Sequence, residues 1–306
     1  MGSGTLSSST FRSYASKTVG KSTDEVFTSR RLDSSLDPKG VKIRESRDSS
    51  DNPESTAIIV GIDVTGSMGM IADNLAREGL TTICEEFLKR RPVKYPHFMF
   101  NAIGDVACDS SPLQVSQFEA DARMIEQLNK IYIEKGGGGN DSESYNLSWY
   151  FAGMHTSIDC FEKRGKKGYL FTIGDEDPPY DIPVSAFKEV LGTDVASSWS
   201  ARQCLEAAEK MYHVFHIIIA EGSHCQSRGV DNVRHKWAEF MGQRAVVLKD
   251  YTKLSELLIS LIQMFEGTDK DSVIKSWDGS ISIVIAEAVK DLSSESVKIE
   301  GGVVTL

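Results

Sequence analysis

The sequence predicts an α/β protein built on a doubly wound, mostly parallel six-stranded sheet, with one antiparallel edge strand and helices on both faces. Three observations lead there. From Thr56 onward, short apolar runs rich in β-branched residues alternate with longer amphipathic stretches, the pattern of strands joined by crossover helices. The run Ala57 to Ile62 is continuously non-polar and mostly β-branched, as a strand covered on both faces requires. One strand follows its predecessor after a loop too short for a crossover helix, so it pairs antiparallel at an edge.

The strands fall at Ala57 to Asp63, His97 to Gly104, Leu113 to Phe118, Tyr169 to Ile173, Val214 to Ala220 and Ala245 to Leu248. Leu113 to Phe118 is the antiparallel one. Met70, Ile71, Leu75, Leu80, Ile83, Phe87 and Leu88 stripe the first helix, which reaches about Arg91 before Pro92 ends it. Apolar spacing places further helices at Ala120 to Tyr132, Glu143 to Lys163, Ser185 to Leu191, Ala201 to Met211, Val230 to Met241 and Tyr251 to Phe265.

This alternation occupies residues 56–267 and leaves two extensions. Residues 1–55 hold fourteen serines and few large apolar side chains, so they lack material for a core of their own and are expected to be partly disordered, above all over 1–22. The stretch from Asp24 to Arg44 is expected to pack along the domain or dock on a neighbouring subunit. Residues 268–306 offer a short helix around Ile281 to Leu292, an alternating run Ser296 to Glu300 and an apolar end, Val303 to Leu306. This tail is expected to pack on the main domain or on a partner.

Composition narrows the function classes. With 306 residues and 40% hydrophobic content the chain can bury a sizeable core. The net charge is −10, and residues 1–55 carry nine basic against eight acidic side chains, so the acidity belongs to the rest. Such a surface argues against nucleic acid as the main partner. No run approaches the length of a membrane span, the first residues lack a signal-peptide core, and Leu6 breaks the myristoylation pattern. Five cysteines, odd in number and without a Cys-x-x-Cys pair, suit a reduced, intracellular, cytoplasmic protein.

The chemistry concentrates where the first strand ends. Asp63-Val64-Thr65-Gly66-Ser67 sets a carboxylate and two hydroxyls at alternate positions, a partial oxygen donor set for a hard cation such as Mg²⁺ or Mn²⁺. In an open α/β sheet ligands bind beyond the carboxyl ends of the strands. The competing explanation is that Thr65 or Ser67 merely caps the following helix. Capping accounts for one hydroxyl but not for Asp63, nor for Asp175 at the end of a second apolar strand.

At these residues the chain resembles the von Willebrand factor type A domains, which include the integrin I domains and carry a metal-ion-dependent adhesion site opening Asp-x-Ser-x-Ser. Asp63, Thr65 and Ser67 match that motif, and Asp175 matches the family's later strand-end aspartate. The family's loop threonine has no counterpart. Gly136 to Gly139 lead instead into Asn140, Asp141 and Ser142, one of which, or water, would take its place. The resemblance covers roughly residues 55 to 267. It implies a non-enzymatic, divalent-metal-dependent protein-binding module whose partner completes the ion's coordination with an acidic residue. Glu176, Asp177 and His224 would flank that ligand surface, and the extensions would serve an oligomer or a larger assembly such as a phage or bacterial particle.

Other residues read as packing. His213 and His216 lie three apart, away from any cysteine pair, and are not a zinc site; Tyr145, Trp149, Tyr150 and Phe151 fall on one helix and suit the core. Two further functions compete. Asp63-Val-Thr-Gly-Ser is similar to the Asp-Lys-Thr-Gly-Thr of P-type ATPases in the haloacid dehalogenase superfamily, which would make Asp63 a phosphorylated nucleophile with Lys163, Lys166 or Lys167 neutralising the phosphate. A purely structural assembly protein is the other. Thr65, where such phosphatases usually place a second aspartate, and the glycine loop favour the binding module.

Overall fold

The structure, a computed structural model, describes residues 4–134 and 141–293. The runs Ser296 to Glu300 and Val303 to Leu306 lie outside the described residues. Eight strands form in chain order: β1 (Arg44–Ser46), β2 (Ser55–Asp63), β3 (Tyr95–Ile103), β4 (Leu113–Val115), β5 (Thr156–Ile158), β6 (Gly168–Gly174), β7 (Tyr212–Ile219) and β8 (Ala245–Leu248). Six of them make the central sheet in the order β4-β3-β2-β6-β7-β8, and β1 pairs with β5 in a small parallel sheet of its own. Within the central sheet only β3 and β4 run antiparallel, joined at Asn101↔Val115 and Ile103↔Leu113. The fold class is therefore the one the sequence predicts.

The pleat divides the central strand between two cores. Ile58, Val60 and Ile62 face one, with Ile71, Leu75, Leu80, Ile83 and Phe87 of the first long helix and Leu257 to Ile262 of the helix Leu254–Phe265. Ala57 and Ile59 face the other, with Leu147, Trp149, Phe151, Cys204, Leu205 and Trp237. A strand apolar on both faces thus sits between two helical layers, and its only exit for a polar side chain is its end. Helix bounds follow the apolar stripes. Val230–Met241 and β8 match expectation residue for residue. The first helix ends at Arg90, where Arg91 turns left-handed at φ 47° before Pro92. It contains a π-turn over Leu75–Gly79.

Two departures have physical causes. The expected helix over Glu143 to Lys163 divides into Tyr145–Met154, the strand β5 and a short turn of helix, Asp159–Glu162. The β-branched Thr156 and Ile158 leave the helix because Arg44–Ser46 presents a strand edge to them, and the Thr156 hydroxyl lies 2.7 Å from the Tyr212 hydroxyl. The second departure is the amino-terminal segment. Where disorder is expected, residues Ser8–Thr18 form a helix whose Phe11 is fully buried, and Val26, Phe27 and Leu36 join the same core. Its carboxyl end is held by Arg77, which donates to the Thr18 carbonyl at 2.7 Å. Arg47 bonds Asp159 at 2.8 Å and Glu162 at 2.6 Å, while Arg164 reaches Asp48 at 2.7 Å, stitching the segment to the domain.

The described part of the tail also packs inward. Trp277 donates to Ser260 at 2.8 Å and lies 3.5 Å beneath the Arg90 guanidinium, with Val273, Ile285, Val289 and Leu292 buried around it. Among the described residues no helix is long and apolar enough to cross a membrane.

Because Phe11 is buried against the domain, Phe11→Ala is expected to lower the free energy of unfolding by about 3 kcal/mol. Urea denaturation followed by far-ultraviolet circular dichroism measures it. A loss below about 1 kcal/mol would mean that the amino-terminal helix is not part of the cooperative unit.

Candidate metal centre

The parallel pairing of β2 with β6 brings two carboxylates to neighbouring strand ends. Asp63 closes β2, and Asp175 directly follows β6, whose Ile173 is in register with Ile62. Asp63 is fully buried and Asp175 nearly so. Beyond Asp63 the chain stays extended through Thr65, then Gly66 at φ 43° turns it into a short 3₁₀ helix, Gly66–Met68.

Thr65 does not cap that helix. Its backbone N–H and its hydroxyl both donate to Asp63 Oδ1, at 2.9 and 2.7 Å, and no side-chain bond closes the helix end. The capping explanation of the motif is thereby set aside for Thr65. The same hydroxyl lies 3.1 Å from Glu143 Oε1. One hydroxyl carries one proton, so it can satisfy only one of these two acceptors at a time. Glu143 is itself 5% exposed, and its Oε2 has no hydrogen-bond partner. The other Asp63 oxygen receives the Tyr145 hydroxyl at 3.4 Å.

Electrostatics sharpens the point. Burial, with the nearby Asp175 and Asp109 charges, pushes Asp63 up to about 7. Glu143 is pushed up to about 10 by burial and then by Asp63 and Asp109. Glu176 rises to about 8 through burial and through Asp175 and Asp63, and burial raises Asp175 as well. Among the described residues no Lys, Arg or His side chain forms an ion pair with Asp63, Glu143 or Asp175. Buried carboxylates ordinarily have a basic partner or a metal, so this donor set fits a hard cation. Among the described residues no three His, Cys, Asp or Glu side chains are gathered closely enough to hold an ion alone. A site here needs its hydroxyls too.

The remaining expected residues are distributed around this centre. Ser67 follows in the short helix; its side chain, like all of Asn140, lies outside what is described. Asp141 points outward and pairs with Arg228 at 2.7 Å. Ser142 donates to the Pro178 carbonyl at 3.2 Å. The loop acid that reaches Thr65 is therefore Glu143, which the sequence reading did not single out. The backbone N–H of His224 donates to Asp175 Oδ2 at 2.7 Å, and its Nδ1 stands 2.8 Å from Glu176 Oε2. Asp177 is held by Lys236 at 2.5 Å. Glu176, Asp177 and His224 thus form one cluster beside Asp175. His224 lies in the first turn of a short helix, Ser223–Arg228, that the sequence does not predict.

Beneath the centre the core is polar and aromatic. Tyr145 packs edge-on to His216 and Trp237, whose rings stack at 3.6 Å, and burial holds His216 well below its ordinary value. The Thr172 hydroxyl lies 3.0 Å from His216 Nδ1. These histidine and aromatic residues are core, as the sequence suggests.

No family model matches the chain, and no curated protein matches it. Among solved structures it is similar to the pilus adhesin SpaC from Lactobacillus rhamnosus GG in its open conformation, with 12% identity and a TM-score of 0.48, over 78% of this chain and 31% of that one. A second form of the same adhesin gives 10% identity and 0.46, over 74% of this chain and 31% of that one. A von Willebrand factor type A protein from Catenulispora acidiphila gives 12% identity and 0.36, over 71% and 44%. The chain spans about a third of the length of the adhesin.

Two glycines make the close packing possible. A Cβ at Gly174 would fall 1.8 Å from the Tyr145 hydroxyl oxygen, and one at Gly222 would fall 2.2 Å from Asp175 Oδ2. Gly174→Ala is expected to cost about 1–3 kcal/mol by displacing Tyr145. Thermal unfolding measures this loss, and adding Tyr145→Phe should recover part of it. A neutral Gly174→Ala would contradict the packing of Tyr145 against β6.

Proposed function

We propose that the chain is a divalent-metal-dependent protein-binding module of the adhesion type. The observation that carries this is the Thr65 hydroxyl standing between two buried carboxylates, Asp63 and Glu143, with Asp175 on the next strand end and, among the described residues, no ion pair from a Lys, Arg or His side chain to any of the three. A Mg²⁺ or Mn²⁺ ion supplies the missing positive charge. Asp63, Thr65, Ser67 and Asp175 would hold it, directly or through water, and the resemblance implies a partner carboxylate completing its shell. Glu176, Asp177 and His224 give the surrounding surface its shape. The partner is a protein, and the chain acts within a larger assembly.

A specific observation weighs against the phosphotransferase alternative. Lys163, Lys166 and Lys167 precede β6, and Asp175 follows it, so the seven-residue strand separates them by roughly 20 Å. Lys163 is instead bound to Asp159 at 2.6 Å. None of the three can neutralise a phosphate on Asp63. After incubation with acetyl phosphate and Mg²⁺, mass spectrometry is expected to find no hydroxylamine-sensitive phosphate on Asp63. Its presence would overturn the binding-module reading.

Isothermal titration calorimetry should show one Mn²⁺ bound per chain and none for Asp63→Ala, with both proteins folded. Equal uptake by the two would refute the site. The ion should also act through pH. Asp63 and Glu143 both titrate higher in the fold than in the unfolded chain, so their protonated forms stabilise it at low pH. That contribution is lost as pH rises from about 4 through 7 and beyond. Protons and the ion compete for the same oxygens. Mg²⁺ should accordingly raise the melting temperature clearly at pH 8 and hardly at pH 5, as differential scanning fluorimetry would record.

A further inference from the structure

Glu143 stands two residues ahead of the helix Tyr145–Met154, in the loop that descends onto the metal centre. It is nineteen-twentieths buried, yet it has one oxygen against Thr65 and the other without a partner. Its neighbours do not compete for the position. Asp141 is turned outward to Arg228, and Ser142 is committed to the Pro178 carbonyl. Ser144 donates to Asp105 Oδ1 at 2.9 Å and accepts from the Val106 N–H, which pins the backbone on the far side of Glu143. The side chain is thus held toward Asp63 from both directions along the chain.

We propose that Glu143 is a direct ligand of the ion, standing where the loop threonine is missing, beside Asp63 and the Thr65 hydroxyl and with Asp175 acting through water, so that the loop's own carboxylate helps retain the metal whether or not a partner is bound. This rests on the metal-binding reading above. Asp63 and Asp175 together balance a divalent ion, and a further charged oxygen donor strengthens retention, since ligand charge count sets affinity at oxygen sites. A hydroxyl in the same seat would leave that place to water. The competing role for Glu143 is a neutral carboxyl that donates its proton to the Thr65 oxygen and never touches the ion. The two roles make opposite predictions.

The test uses the full chain and Mn²⁺ itself as probe. Wild type, Glu143→Gln, Glu143→Thr and Asp141→Ala are titrated with Mn²⁺ by calorimetry, and water-proton relaxation counts the waters on the bound ion. Glu143→Gln keeps a hydrogen-bonding group for Thr65 while removing a buried charge, so it folds if the wild type does. Both Glu143 variants should bind Mn²⁺ at least tenfold more weakly, about 1.4 kcal/mol, and Glu143→Thr should carry about one more water on the ion. Asp141→Ala should bind as the wild type does. Mn²⁺ affinity and hydration unchanged in both Glu143 variants, beside a wild type that binds, would overturn the role of Glu143 and leave the metal site standing. No uptake by the wild type would overturn the site itself.

Discussion

The parallel pairing of β2 with β3 on one side and β6 on the other governs everything at the carboxyl rim. Nine residues of β2 are in register with β3, and Ile58 to Ile62 are in register with Tyr169 to Ile173. Because both faces of these strands are covered by helices, a polar side chain can emerge only at their ends. Asp63 and Asp175 therefore arrive beside each other without any contact between them to attract them. They would repel. The sheet holds them there, and its hydrophobic layers supply the stability that this arrangement spends.

That dependence explains which parts were legible in the sequence. The strands could be read because their apolar runs are uninterrupted, and β8 and the helix Val230–Met241 were placed to the residue. The antiparallel edge followed from the shortness of one loop. Asp63, Thr65 and Asp175 were visible as polar residues ending apolar runs. Glu143 was not, although it bore a signal. It is the last acid before eight residues, Tyr145 to Ala152, that are buried at every position. A helix buried all round fixes its own start against the sheet, and the residues just before it have little freedom. Asn140, Asp141 and Ser142 stand out in the sequence instead because they follow the glycines directly.

The order of residues 8–18 escapes the sequence for a different reason. Residues 1–55 are poor in apolar side chains on average, but Phe11, Val26, Phe27 and Leu36 each occupy a place in a core that the domain has already built. Averages test whether a segment can form its own core, not whether it can complete another. Arg47 with Asp159, 112 residues away, and Arg164 with Asp48, 116 away, lie beyond any local pattern. The same holds for β5, whose strand character depends on a partner from the amino-terminal segment.

The aromatic stack under the centre ties an indole to the rim. Trp237 lies face to face with His216, and Tyr145 touches both rings while directing its hydroxyl to Asp63. An indole is thereby wired to the carboxylate through a single phenol. Indole emission responds to the local field, so a change of charge on Asp63 is expected to shift the emission of Trp237.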